Sequence, residues 1–269
     1  MTASSFIERH GLWSDAQRAQ ADALVRDLET RGVRFVRLVW ADPYGASRAK
    51  LVTAEAFASA LTSGHNILVA TYMLDSAASR VFSSFTPGGG LGVPELTGSP
   101  NLIVVPDPAT FRVLPWDDPP GRSVGWVLCD AYFGNGKPFP FCPRQLLRKQ
   151  IARLTGRGWR MNVGLEIEWY LLKLATGLVE TENVGGPGVR GKPIATRAVE
   201  PGFMVHGESG LDLMQPVLLE LAAAWERLGL PLRSIENELG PGQVECTFAP
   251  QEALAAADTM LLFRASTRQ

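Results

Sequence analysis

The chain has 269 residues, 46% of them hydrophobic and 20% charged, with a formal net charge of −1. That length supports one large domain or two smaller ones around a sizeable core. The near-neutral charge, with no Lys/Arg run interleaved with aromatics, gives no electrostatic case for nucleic acid. No apolar run reaches bilayer-spanning length, and residues 1–10 lack the apolar core and cleavage site of a secretory leader. Cys129, Cys142 and Cys246 are odd in number and scattered, which disfavours a disulfide framework or a zinc site. A cytoplasmic, enzyme-like protein without membrane or nucleic-acid partners is expected.

Residues 14–30 have the spacing of an amphipathic helix: Ser14 at the N-cap, Gln17 at the capping-box position, and Ala21, Leu24, Val25 and Leu28 on one face. Gly32 ends it. Residues 33–40 are β-branched and aromatic and predict a strand, Asp42-Pro-Tyr-Gly45 a turn, and residues 47–52 a returning strand. A short helix follows over 54–61. Between about 71 and 100 periodicity fades. The run Pro87-Gly-Gly-Gly90 is followed by no Gly-Lys-Ser/Thr, so a plain loop is expected rather than a phosphate cradle. Residues 102–105, 111–114 and 123–130 predict short strands, and residues 1–115 together read as a small α+β domain.

Pro143 and Arg144 open a helix that runs to Leu154. Residues 159–174 predict one long strand, and Val184-Gly-Gly-Pro-Gly188 breaks the pattern before a hairpin or loop that extends to Gly202. Leu213, Val217, Leu218, Leu221 and Trp225 lie at helical spacing within 211–228. Strands are expected at 234–238 and 243–248 around a Gly-Pro-Gly turn, with a final helix over 251–264. The predicted fold class is α+β, with helices on one face of a largely antiparallel sheet.

Chemistry concentrates in two segments, Gly164-Leu-Glu166-Ile-Glu168-Trp169 and Glu238-Leu-Gly-Pro-Gly-Gln-Val-Glu245. Side chains alternate along a strand, so Glu166 and Glu168 share one face and Leu165, Ile167 and Trp169 the other. A tight reversal at Gly-Pro-Gly brings Glu238 and Glu245 together, with Glu236 alternating onto the same face as Glu238. Such oxygen donors suit a hard cation, Mg²⁺ or Mn²⁺. A solvated strand face and a charged hairpin edge explain the same pairs without a metal. His10, His65 and His206 are far apart in sequence, and each reads as a surface or loop histidine away from the glutamate pairs. Cys246 follows Glu245 and is expected on the buried face. Arg48 and Lys50 alternate on one strand face.

These two segments resemble the metal-binding strands of the glutamine synthetase superfamily. Asp42-Pro-Tyr-Gly-Ala-Ser-Arg48-Ala-Lys50 is similar to the family's Asp-x-x-Gly-x-x-Arg-x-Lys hairpin, and Val105-Pro-Asp107-Pro-Ala-Thr110, Asp130 through Pro143-Arg144, and Ala257-Asp258 resemble further segments in the family's order. The resemblance implies a small N-terminal β-grasp-like domain over 1–115, followed over 116–269 by a partial catalytic domain.

It also implies a ligase. ATP, as co-substrate, phosphorylates the γ-carboxylate of glutamate, and ammonia or an organic amine displaces phosphate. Glu166, Glu168, Glu238 and Glu245 would be the ligands of Mg²⁺ or Mn²⁺, with Glu166 nearest the nucleotide. Asp42 would act at a neighbouring subunit's site beside the incoming amine, in a homo-oligomeric ring. Where the family often has histidines before the position of Glu238, this chain has Glu236 and Asn237, which favours an organic amine over ammonia. The family's later glycine-rich turn and phosphate-gripping arginines have no counterpart before Gln269, so little turnover by this chain alone is expected, or a non-catalytic subunit of the same fold. A shortened sheet and the row Met260-Leu-Leu-Phe263 further predict a tendency to associate.

Overall fold

The computed structural model describes residues 4–81, 83, 85–87, 89–116, 123–175 and 179–268. Gly88, in the glycine run read as a loop, lies outside the described residues. The chain is α+β and divides into two compact units, Met1–Asp75 with Arg80–Gly158, and Ser76–Ser79 with Trp159–Gln269.

The first unit is built on a six-stranded sheet. After a one-turn helix α1 (Phe6–Arg9), helix α2 (Asp15–Thr30) starts at the anticipated capping box, with both reciprocal Ser14–Gln17 bonds made. It buries Ala21, Leu24 and Leu28, while Val25 stays exposed. Strand β1 (Val33–Ala41) buries Val36, Leu38, Val39 and Trp40 on both faces, as a central strand must. It pairs antiparallel with β2 (Ser47–Thr53) and parallel with β6 (Ser123–Tyr132). Between them come α3 (Ala54–Ser63), β3 (His65–Leu68), β4 (Asn101–Pro106) and the two-residue β5 (Arg112–Val113), giving the order β2-β1-β6-β4-β3 with β5 also on β6. Gly64 closes α3 at φ +68°, where a Cβ would sit 2.3 Å from Ile103 Cγ2. His65 is therefore a strand residue, not a loop one. Strand β6, assigned from sequence to the second domain, completes the first unit's sheet, and contacts place the division at Gly158 rather than 115.

Helix α4 (Pro143–Thr155) fixes this unit through charge. Arg144 is buried and donates to Asp107 at 2.7 Å and Asp130 at 2.8 Å, and Arg148 reaches the same carboxylates at 2.7 and 3.0 Å. Burial alone would raise the Asp107 pKa, but the two guanidinium groups outweigh it and hold the carboxyl below its ordinary range.

In the second unit the single strand expected over 159–174 is three: β7 (Asn162–Val163), β8 (Glu166–Tyr170) and β9 (Leu172–Leu174). Each pairs with a different partner, namely β13 (Gln251–Glu252), β12 (Gln243–Phe248) and β10 (Thr196–Ala198), so the chain must re-aim at Gly164 and Leu171. Helix α5 (Glu208–Arg227) starts earlier than expected and buries Met214, Leu218 and Trp225. Leu213 and Val217, assigned to the apolar face from spacing, are exposed. Strand β11 (Leu232–Asn237) and β12 form the anticipated hairpin, in the order β11-β12-β8. Helix α6 (Ala253–Thr267) does not offer its apolar row to a partner. Leu261, Leu262 and Phe263 are buried, with Phe263 4.8 Å from the Trp225 ring and 5.5 Å from Phe248.

Candidate active site

The antiparallel register of β11, β12 and β8 aligns the acidic residues. Glu245 lies opposite Glu236 on one side and Glu168 on the other, while Thr247 lies opposite Ser234 and Glu166. Alternation sends Val244, Cys246 and Phe248 into the core and leaves Gln243, Glu245 and Thr247 half-buried on the other face. One sheet face thus carries Glu166, Glu168, Glu236, Glu245 and, just past the end of β11, Glu238. The buried Cys246, expected on the opposite face, receives the Trp169 indole N–H at 3.4 Å.

The turn between Glu238 and Glu245 is held by residues whose role was not visible in sequence. Glu200, itself buried, accepts the Gly202 N–H at 2.7 Å through Oε2 and the Gly242 N–H through Oε1. Gly242 sits at φ +73°, and a Cβ there would lie 2.6 Å from the Leu171 carbonyl oxygen, so only glycine fits. Gln243 accepts the Gly240 N–H at 2.7 Å and donates through Nε2 to Glu168 at 2.6 Å, tying the turn to the neighbouring strand's carboxylate.

Electrostatics show that these carboxylates sense one another. The Glu245 pKa is raised, first by partial desolvation and then by the charges of Glu166, Glu236, Glu238 and Glu168. A divalent cation at this face would relieve that repulsion, and its donor set is all oxygen, so the residues fit Mg²⁺ or Mn²⁺.

His206 requires a correction. Chain order separates it from the glutamates, yet its Nε2 lies 3.1 Å from Glu236 Oε2. The His206 N–H donates to the Asn237 carbonyl at 2.8 Å, which pins the loop before α5 against the edge strand β11. Sequence spacing gave no signal for this because the contact spans thirty residues and depends on the hairpin's edge. The Glu236 carboxyl is held low chiefly by the Ser234 hydroxyl, with help from His206.

Asp42, in the first unit, is buried within its own turn. Its Oδ1 accepts the N–H groups of Tyr44 at 3.0 Å and Ala46 at 2.9 Å, and its Oδ2 pairs with Arg48 at 2.8 Å. Lys50 donates to the Asn66 carbonyl oxygen at 3.4 Å. Among the described residues, no helix is long and apolar enough to cross a membrane.

Residues 140–269 match the family model of the glutamine synthetase catalytic domain. The chain belongs to the glutamine synthetase superfamily. It is 38% identical over 267 residues to the γ-glutamylanilide synthase of an Acinetobacter species, covering 98% of this chain and 53% of that relative. It is 26% identical to the glutamine synthetase of Methanosarcina mazei, covering 88% of this chain and 45% of that one. The solved structure of GmaS with ADP shares the fold, with a TM-score of 0.66 at 24% identity, covering 91% of this chain and 48% of that one. The chain spans about half the length of the curated relatives it matches. The acidic residues described above, Glu166 to Glu245, lie inside the matched segment.

Proposed function

We propose that this chain carries the metal-binding face of an ATP-dependent ligase that activates the γ-carboxylate of glutamate as an acyl phosphate and joins it to an amine. The observation that carries the reading is the row Glu168–Glu245–Glu236, flanked by Glu166 and Glu238 on one sheet face. Glu166, Glu168, Glu238 and Glu245 would hold Mg²⁺ or Mn²⁺, which when bound offsets the charge of a transferring phosphoryl group. Gln243 and Glu200 keep the two metal-binding segments in register by their hydrogen bonds to Glu168 and to the turn. Asp42 acts as a positioning residue, since its carboxylate spends its acceptors on Tyr44, Ala46 and Arg48 and so fixes the turn's shape. We place that turn beside a neighbouring subunit's site in a homo-oligomeric ring, in the cytoplasm.

An organic amine is favoured over ammonia as acceptor because the γ-glutamylanilide synthase is the more similar relative and Glu236 stands among the metal-binding residues. The test is ADP release by the purified chain with Mg²⁺, ATP and glutamate, comparing ammonia with aromatic and aliphatic amines. Little release by this chain alone is expected, and whatever occurs should be faster with an organic amine and lost in Glu245→Ala. Release indifferent to Glu245→Ala refutes the reading. The second reading, a non-catalytic subunit that associates with copies of the same fold, draws support from Leu213, Val217 and Leu219, which lie exposed on α5. Silence together with a defined oligomer by light scattering selects it.

A further inference from the structure

Helices α4 and α5 each turn toward solvent a face that mixes apolar and charged residues, and the two faces are opposite in sign. No acidic residue stands between Asp130 and Glu166, while Lys and Arg recur throughout that stretch. Arg144 and Arg148 spend their charge on Asp107 and Asp130. Lys149 and Arg153 are exposed and, among the described residues, pair with no carboxylate. Steps of three and four along the helix put both on one stripe with Leu146, which is 54% exposed, and with Arg157 just past the helix end.

Helix α5 has the reverse character. It carries Glu208, Asp212, Glu220 and Glu226 against a single cation, Arg227. Met214, Leu218 and Trp225 take its inward side, so the outward side is left with Asp212, Leu213, Val217, Leu219 and Glu220. The three apolar residues there are 61%, 45% and 59% exposed, and Asp212 and Glu220 pair with no cation among the described residues. Apolar side chains grouped within a charged rim mark a surface that another polypeptide covers. We propose that the outward face of α5 docks the basic stripe of α4 from a second copy of this chain.

Charge complementarity selects the occupant. Both faces are exposed, so neither covers the other within one chain, yet each supplies what the other lacks. Their spacing agrees as well. Asp212 and Glu220 are eight positions apart, about 12 Å along a helix axis, and Lys149 and Arg157 have the same separation in sequence. Leu146 on one side and Leu213, Val217 and Leu219 on the other give the contact an apolar centre, while the charges set its partner and register. Because the two faces are unlike, the contact is head-to-tail, and each copy keeps one free face of either sign for the next. The proposal rests on the second reading above, association with copies of the same fold, and uses none of the metal-binding carboxylates.

The experiment is sedimentation velocity of the 269-residue chain over a concentration series, with charge reversal on each face. One variant carries Lys149→Glu and Arg153→Glu, the other Asp212→Lys and Glu220→Lys. All four side chains are exposed, so both variants should keep the wild-type unfolding midpoint, which is checked first. Each alone should associate more weakly by about tenfold or more, since like charges then face each other across the contact. Mixed in equal amounts, the two variants should associate with each other, because the reversed α4 of one meets the reversed α5 of the other. Leu213→Asp should weaken association without changing its salt dependence. Association that ignores both reversals, or a mixture no tighter than either variant alone, overturns the pairing while leaving the association reading in place. A wild-type chain that stays monomeric at the highest concentration overturns both.

Discussion

Glu245 is where the acidic face should reveal itself as a site rather than a solvated strand. Register places it between Glu168 and Glu236, and both neighbours are directly opposite. Like charges in that position destabilise a sheet by roughly 0.2–1 kcal/mol per pair, so without metal Glu245→Gln should stabilise the second unit by about 0.4–2 kcal/mol. For a chain of this size that is an upward shift in Tm of about 1–8 °C. In about 1 M NaCl, where the Debye length falls to about 3 Å, the gain should shrink. With Mg²⁺ or Mn²⁺ present the sign should reverse. A cation at about 100 times its Kd stabilises the wild type by about 2.7 kcal/mol through mass action, and most of that shift should vanish in the variant. Scanning calorimetry of both proteins with EDTA and with Mn²⁺ reads both effects. A variant less stable than wild type in EDTA, or one that keeps the full Mn²⁺ shift, would falsify the placement of Glu245 at the centre of a cation site.

The remaining expectations concern what holds the two units in shape. Arg144→Met leaves Asp107 and Asp130 buried with Arg148 as their remaining guanidinium partner, and should cost about 3–5 kcal/mol in urea unfolding. Arg148→Met, at a 34% exposed side chain, should cost less than about 1 kcal/mol. Because the Asp107 pKa is depressed in the folded state, its contribution is present above the ordinary carboxylate range and is lost as pH falls through the folded value. Arg144→Met should therefore flatten the acid limb of a stability–pH curve, and an unchanged limb contradicts the assignment. Asp42→Ala strands the Tyr44 and Ala46 N–H groups and should cost about 1.5–3 kcal/mol, with Asp42→Asn milder because an acceptor oxygen remains. Cys129, Cys142 and Cys246 are buried, with thiols pushed above their ordinary range, so a thiol reagent should label them only after denaturation.

Much of this fold was legible because local signals and tertiary demands agreed. The Ser14–Gln17 box, the β1–β2 turn at Asp42 and the β11–β12 reversal all formed where their residues placed them. The 159–174 segment failed for an instructive reason. β-propensity reads whether backbone extends but not which partner it meets, and three successive partners break one extended run into three strands. In α5 the spacing placed Leu218 and Trp225 on the buried face but added Leu213 and Val217, which are exposed, because apolar residues occupy more of the helix than its packing partners can cover.

The site divides along the same line. Alternation within a strand was enough to put Glu166 with Glu168 and to bury Cys246, since both follow from period two. What period two cannot supply is the neighbour across the sheet, and so the opposition of Glu245 to Glu236 and Glu168 emerged only with register. His206 lay further still beyond reach. Its position is fixed by backbone bonds from the passing loop, Phe203 N–H to the Leu239 carbonyl and His206 N–H to the Asn237 carbonyl, made at an edge strand. An edge strand offers unpaired carbonyls to whatever segment passes it. The segment that passes here carries the imidazole that gives the oxygen-lined face a nitrogen donor, so the edge of the sheet, rather than any motif, sets how far the site's chemistry extends.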